Sequence, residues 1–148
     1  DWTYAKPGID KIKKCIRVEN PFSDGFHVVI HIRLPSSNLN LLGFRVEERC
    51  TPIEYYLNKL ISIREKYPNS VIHVLTDGNE SVFDHFKDYD IVKHYNEPIV
   101  KSFAYMIYAN VLVTSKSAFS YSAALLNTNE VHHKSLEPYL KPLPHWET

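Results

Sequence analysis

The segment Phe26-His-Val-Val-Ile-His-Ile-Arg-Leu34 limits the possible folds more than any other stretch of the chain. Apart from its histidines and arginine it is apolar on both faces. A strand with one wet face alternates apolar and polar residues. A strand apolar on both faces is covered on both, as in a parallel sheet packed between helices.

The remaining pattern supplies the other layers. Pro35 to Arg49 is polar and irregular, a long loop of the kind that carries function. Thr51-Pro-Ile-Glu54 predicts a helix start, with Thr as N-cap, Pro at the first helical position and Glu at the third. That helix runs through Tyr55, Leu57, Leu60, Ile61 and Ile63 to about Tyr67, where Pro68-Asn69 stops it. Val71 to Thr76 reads as a second strand, Ser81 to Phe86 as a short helix and Asp90 to His94 as a third strand. Glu97-Pro98 opens a helix with Val100, Phe103, Ala104, Ile107 and Tyr108 on one stripe. Val111 to Thr114 is a fourth strand, Ser117 to Leu126 a helix and Glu130 to His133 a last strand. Strands alternating with helices predict an α/β, Rossmann-like parallel sheet with helices on both faces, a three-layer α/β/α sandwich. The expectation is a single domain over residues 1–148. Residues 1–25 form an N-terminal helix and linker, and 134–148 a Pro-rich tail over the surface.

Composition narrows the partners. With 44% hydrophobic and 23% charged residues, the 148-residue chain can bury a real core. Seventeen basic and seventeen acidic residues give a formal net charge of zero, which argues against nucleic-acid binding by charge. Ten tyrosines suit a polar ligand surface, though tyrosine also fills cores. Two cysteines, Cys15 and Cys50, do not make a disulfide framework. No apolar run is long enough to span a bilayer and no secretion signal is visible. The chain begins at Asp1 rather than Met, so we expect a trimmed chain or one domain of a longer protein.

In open parallel sheets ligands sit outside the carboxyl ends of the strands. Those ends carry Arg33, Asp77 and the turn from Ser115 to Ser120, and all three should converge on one edge. The hydroxyl-rich turn precedes a helix whose first N–H groups lack intrahelical partners and carry partial positive charge, a ready phosphate site. Alternatively, its serines only cap the helix and let it pack close. Arg33 could offer a permanently charged fork to a diphosphate, or an ion pair that locks the long loop. His31 beside it fits a hydrogen-bonded core histidine as well as a ligand contact. Asp77 could accept from a base or a ribose hydroxyl, or cap the short helix that follows. Glu47, in the long loop with Glu48, could act as a general base or belong to a solvated cluster with Arg45 and Arg49.

Several chemistries are disfavoured. The four glycines form neither a G-x-G-x-x-G nor a G-x-x-x-x-G-K-[ST] loop, against a dinucleotide oxidoreductase or a P-loop nucleotidase. Asp88-Tyr-Asp90 has metal-binding D-x-D spacing but precedes a strand, so it should face the opposite edge. The histidines, His132-His133 included, lack ligand spacing, and no metal is expected.

These segments resemble, in order, the donor-binding half of fucosyltransferases with a GT-B-like fold, in both the α1,6/nodulation and the α1,2 groups. His31-Ile-Arg33 is similar to the family's H-x-R-R or H-x-R-x-G-D strand end, and Thr51-Pro-Ile-Glu-Tyr-Tyr56 to the helix start after it. Leu75-Thr-Asp77 resembles its T-D or S-D strand end. Phe103-Ala-Tyr-Met-Ile-Tyr-Ala-Asn-Val-Leu-Val113 resembles its next helix and strand, and Ser115-Lys-Ser-Ala-Phe-Ser-Tyr-Ser122 its S-x-S-S-F-S turn. The match covers roughly residues 26–126. It departs after Arg33, where Leu34-Pro-Ser-Ser37 replaces the second arginine or the G-D.

The resemblance implies metal-independent, inverting transfer from a nucleotide-diphosphate sugar such as GDP-fucose to a glycan hydroxyl, with no cofactor. It implies Arg33 on the β-phosphate, aiding departure of the leaving group, and Asp77 on the nucleoside. It implies phosphate contacts from the turn of Ser115, Ser117, Phe119 and Ser120, with His31 beside them and Glu47 in the place of the α1,6 group's base. It also implies an N-terminal acceptor domain that these residues do not supply. The compartment stays open, Golgi lumen for a eukaryotic source or cytoplasm for a bacterial or viral one. The alternative from another class is a non-catalytic module that binds a nucleotide or glycan. A phosphotransferase or phosphatase would need a metal or covalent nucleophile that the sequence does not offer.

Overall fold

A computed structural model describes residues 2–34, 50–134 and 140–148. The chain runs α1 (Trp2–Cys15), β1 (His27–Ile32), α2 (Ile53–Lys66), β2 (Val71–Thr76), a 3₁₀ helix (Glu80–Phe86), β3 (Val92–Tyr95), α3 (Ile99–Tyr108), β4 (Val111–Val113), α4 (Ala118–Leu126) and β5 (Glu130–His132). The five strands form one sheet in the order β3-β2-β1-β4-β5. Every pairing is parallel.

All six residues of β1 are buried, as its two apolar faces require. One face sends Val28, Ile30, Ile32, Ile72, Val74, Val111 and Val113 against Tyr56, Leu60 and Ile63 of α2 and Phe83 and Phe86 of the 3₁₀ helix. The other face packs Val29, Leu75, Leu112 and Val131 against α3 and α4, and against Leu143 and Trp146 of the tail. Helices therefore cover both faces, and the α/β Rossmann-like reading holds. Among the described residues no helix is long and apolar enough to cross a membrane.

Helix boundaries differ in instructive ways. Pro52, at φ −58° and ψ 146°, is the N-cap of α2 rather than its first helical residue. Its extended ψ sets the start one residue later, so Thr51 does not cap, and the helix start carries no side-chain cap hydrogen bond. The stripe expected on α3 is rotated. Ala104, Tyr105 and Met106 are the buried residues, while Val100 is 68% exposed. Two of the three buried positions pack on β-sheet residues of the α3/α4 face, and Tyr105 rests on the rings of His73 and His94.

Candidate functional site

The order β3-β2-β1-β4-β5 places a topological switch between β1 and β4. Chain connections leave β1 toward β2 on one side and reach β4 on the other. Open parallel sheets hold ligands in a crevice at such a point, outside the carboxyl ends of the strands. Two predicted residues meet there: Ser115 Oγ lies 2.8 Å from His31 Nδ1, across 84 residues of sequence. Both are buried. The edge of the His31 ring faces Phe119 at 5.9 Å between centroids. Burial pulls the His31 imidazole down to about 4; Asp77 opposes this and Arg33 adds to it. The ring is therefore neutral at pH 7. One nitrogen is taken by Ser115, and the residue lines a small cavity.

That cavity, about 40 Å³, is bordered by His31, Asp77, His94, Glu97, Ser102 and Phe119 among others. Asp77 is exposed, and the N-cap of the 3₁₀ helix is Asn79, whose side chain accepts from the Ser81 N–H. The Asp77 carboxylate is thus not consumed by capping. Arg33, just past the end of β1, is exposed, with no ion-pair partner among the described residues. Glu47 and the rest of the Pro35–Arg49 loop lie outside the described residues.

The serine turn is tied to itself. Ser117 caps α4 by accepting from the Phe119 N–H at 3.2 Å. Ser120 Oγ lies 3.3 Å from the Ser115 N–H, Ser115 Oγ and the carbonyls of Ser115 and Ser117. The capping alternative therefore describes the Ser117 hydroxyl, while Ser120 braces the turn from behind. Ser115 alone of the three reaches across to β1.

Sequence reasoning missed His94 and Glu97. The rule that singled out Asp77 would have found them, since Glu97 follows the end of β3 by two residues and so sits on the same carboxyl edge. Glu97 Oε2 pairs with Lys101 at 2.9 Å and Oε1 with His94 Nδ1 at 3.3 Å. Lys101 and His94 hold the Glu97 carboxyl below its usual range. Asn96 before it adopts a φ of 51°, a left-handed conformation that asparagine tolerates.

Two other places hold candidate chemistry. Glu130, His132 and Glu147 come together as potential metal ligands, a grouping that spacing could not reveal because Glu147 arrives from the tail. Lysines already occupy it. Lys66 sits 2.9 Å from Glu130, and Lys59 3.1 Å from His132 Nδ1. It reads as an ionic clasp that fastens the tail to β5. A wider groove of about 440 Å³ lies at the amino edge, between α1, α3 and α4. Its Asn110 and Asn129 side chains are spent on backbone groups of His27 and Ala109. Asp88 and Asp90 precede β3 at that same edge.

Neither a protein-family model nor a curated protein matches the sequence. Solved structures do resemble the fold. The chain matches crystal structures of POFUT1 in complex with GDP-fucose (TM-score 0.50, 13% identity, 85% of this chain and 42% of that one). It also matches two in complex with GDP, at TM-score 0.52 with 13% and 14% identity, over 86% and 83% of this chain. The chain spans 42–45% of the length of these proteins, and what it shares with them at this identity is the fold.

Proposed function

We propose that this domain binds the nucleotide-diphosphate sugar donor of a glycosyltransferase, with GDP-fucose the first candidate, in the crevice between β1 and β4. The observation that carries the reading is the 2.8 Å contact of His31 with Ser115 at the switch point, with Asp77 and Phe119 on the same cavity. It is supported by a fold shared with structures that hold GDP-fucose or GDP. In this reading Arg33 lends a fixed positive charge to the diphosphate, and the start of α4 adds the partial charge of its N–H groups. Asp77 accepts from the nucleoside. As the sugar–phosphate bond breaks, charge grows on the departing diphosphate, and groups already in place stabilise it. No metal is then needed. Glu47 takes the proton of the attacking glycan hydroxyl.

A cavity of about 40 Å³ has room for little more than water, whereas ligand pockets run to roughly 300–1,000 Å³. The donor would therefore lie across the crevice and need a second wall. An acceptor domain would provide one. The same observation favours the second reading, a half-site that holds a nucleotide without turnover. Calorimetric titration with GDP tests the binding, and Arg33→Ala tests its phosphate end: equal affinities for variant and wild type would overturn that assignment. Incubation with labelled nucleotide sugars and candidate acceptors then separates transfer from binding alone.

A further inference from the structure

Three histidines on neighbouring strands form an unbroken hydrogen-bonded row that ends at the small cavity beside His31. His27 Nδ1 lies 3.0 Å from His73 Nε2, and His73 Nδ1 lies 2.9 Å from His94 Nε2. His94 Nδ1 reaches Glu97 Oε1 at 3.3 Å. The sheet register explains the line. His27 pairs with Val71, and His73 pairs with Val92, so each histidine sits two residues further along than its neighbour. The row climbs diagonally from the amino edge at β1 to the carboxyl edge at β3. All three rings are buried. Phe22 stacks on His27 at 4.3 Å, and Tyr105 covers His73 and His94. Burial holds His73 at about 4 and His94 below the usual histidine value, so these two rings are neutral at pH 7.

A neutral imidazole donates from one nitrogen and accepts at the other. The direction of the row is then set at one end. Lys101 keeps Glu97 ionised, so His94 must donate its Nδ1–H to the carboxylate. His94 Nε2 then accepts from His73 Nδ1–H, and His73 Nε2 accepts from His27 Nδ1–H. The last acceptor, His27 Nε2, is buried with no hydrogen-bond partner. Gly25, at φ +122°, brings bare backbone toward it, and a Cβ there would stand 3.4 Å from that nitrogen.

We propose that His27, His73 and His94 form a directional proton relay across the sheet, with its order imposed by Glu97 on that cavity and its far terminus at His27 Nε2. A proton given up by solvent hydronium on transient exposure of the buried His27 Nε2 lets the Nδ1 proton of His27 pass to His73 Nε2. That of His73 then passes to His94 Nε2, and that of His94 to Glu97 Oε1. One O–H bond of the solvent hydronium and three N–H bonds break, and three N–H bonds and one O–H bond form. The products are three Nε2–H rings and a neutral carboxylic acid facing the cavity. The charge on the cavity carboxylate can thus change without a proton crossing the ligand's own space. An anionic ligand placed against Glu97 would draw a proton in from the opposite edge; that last step rests on the nucleotide reading above.

Nitrogen-15 NMR of the imidazoles in the whole chain decides the matter. All three rings should be Nδ1–H tautomers at neutral pH. Glu97→Ala removes the ordering group and should change the tautomer of His27, two strands away, as well as that of His94. His73→Phe should leave the His94 order intact and release His27. An Nε2–H tautomer at any of the three wild-type rings overturns the proposal, as does a His27 signal indifferent to Glu97→Ala. With GDP as the probe, the His27 resonance should shift in wild type and not in His73→Phe. A protein that binds no GDP overturns the nucleotide reading, and the relay is still decided by the tautomers.

Discussion

The same strands present two unlike faces. Toward α2 the central strands offer mostly hydrocarbon: valines and isoleucines from β1, β2 and β4 meet Leu60, Ile63 and Phe86, and the Glu130 and His132 contacts to α2 lysines are confined to the edge strand β5. Toward α3 the strands β1, β2 and β3 offer His27, His31, His73 and His94 among a thinner set of apolar residues. Burying an apolar side chain is favourable without further conditions. Burying an imidazole is costly wherever a nitrogen lacks a partner. The α2 face therefore holds the fold together, and the α3 face carries groups whose arrangement matters more than their burial. Position along the strands adds a second contrast. The histidine at the carboxyl end of β1, His31, contacts the serine turn, whereas the one at the amino end, His27, ends the row.

If that division is right, the largest loss of stability should come from the dry face, with Leu60→Ala. Deleting a buried leucine costs roughly 2–5 kcal/mol, and Leu60 is 1% exposed. Chemical denaturation should show this loss, with the imidazole tautomers of the folded protein unchanged. A loss under 1 kcal/mol would mean that α2 packs far more loosely than its contacts indicate.

Acid should attack the other face selectively. The folded-state values of His31 and His73, about 4, lie below the ordinary 6.5. The unfolded chain binds more protons between these limits, so stability falls as pH drops from 6.5 to 4 and levels off below. His31 contributes on the order of 3 kcal/mol over that window, and His73 less, because it is less deeply buried and part of its shift comes from His94 and His27. His73→Phe should flatten the curve. An identical curve in that variant would assign the acid sensitivity to other groups.

The two faces were not equally readable in the sequence. The strands, their parallel order and the crevice follow from runs apolar on both faces and from Arg33, Asp77 and Ser115 at strand ends. Those are local signals. The histidine row is not local: 46 residues separate His27 from His73 and 21 separate His73 from His94, and only strand register aligns them. Before the pairing is known they are three isolated core histidines. Glu147 beside His132 fails for the same reason, since its place depends on the path of the tail. Thr51 fails for a different one. A Thr-Pro pair predicts a cap, but Pro52 adopts an extended ψ and shifts the helix start by one residue.

Arg33 tests the boundary between fold and site. It is exposed beyond the end of β1, so Arg33→Ala should leave stability within about 0.5 kcal/mol of wild type. A hydrogen bond to a charged group contributes about 1.5–3 kcal/mol, so GDP affinity should fall about tenfold to a hundredfold. Thermal unfolding and calorimetry on the same samples read the two effects separately. A variant that loses stability instead of affinity would put Arg33 in the scaffold.

The smallest effect asks whether the start of α4 serves the helix, the ligand or both. Ser117 caps α4 with its hydroxyl, and Ser117→Ala should cost about 1 kcal/mol of stability. That loss alone cannot separate the two roles. Asn and Asp are both good caps and nearly equal in size, so they differ mainly in charge. Asp should even be slightly the better of the two in stability, because a negative charge is favourable at a helix N-terminus. If a diphosphate sits at this helix start, the same charge repels it. Ser117→Asp should then bind GDP about tenfold more weakly than Ser117→Asn, a difference of about 1.4 kcal/mol. Equal GDP affinities at low salt would place the phosphates elsewhere and leave Ser117 a cap alone. The α4 end of the crevice would then belong with the dry face of the sheet, as part of what holds the fold.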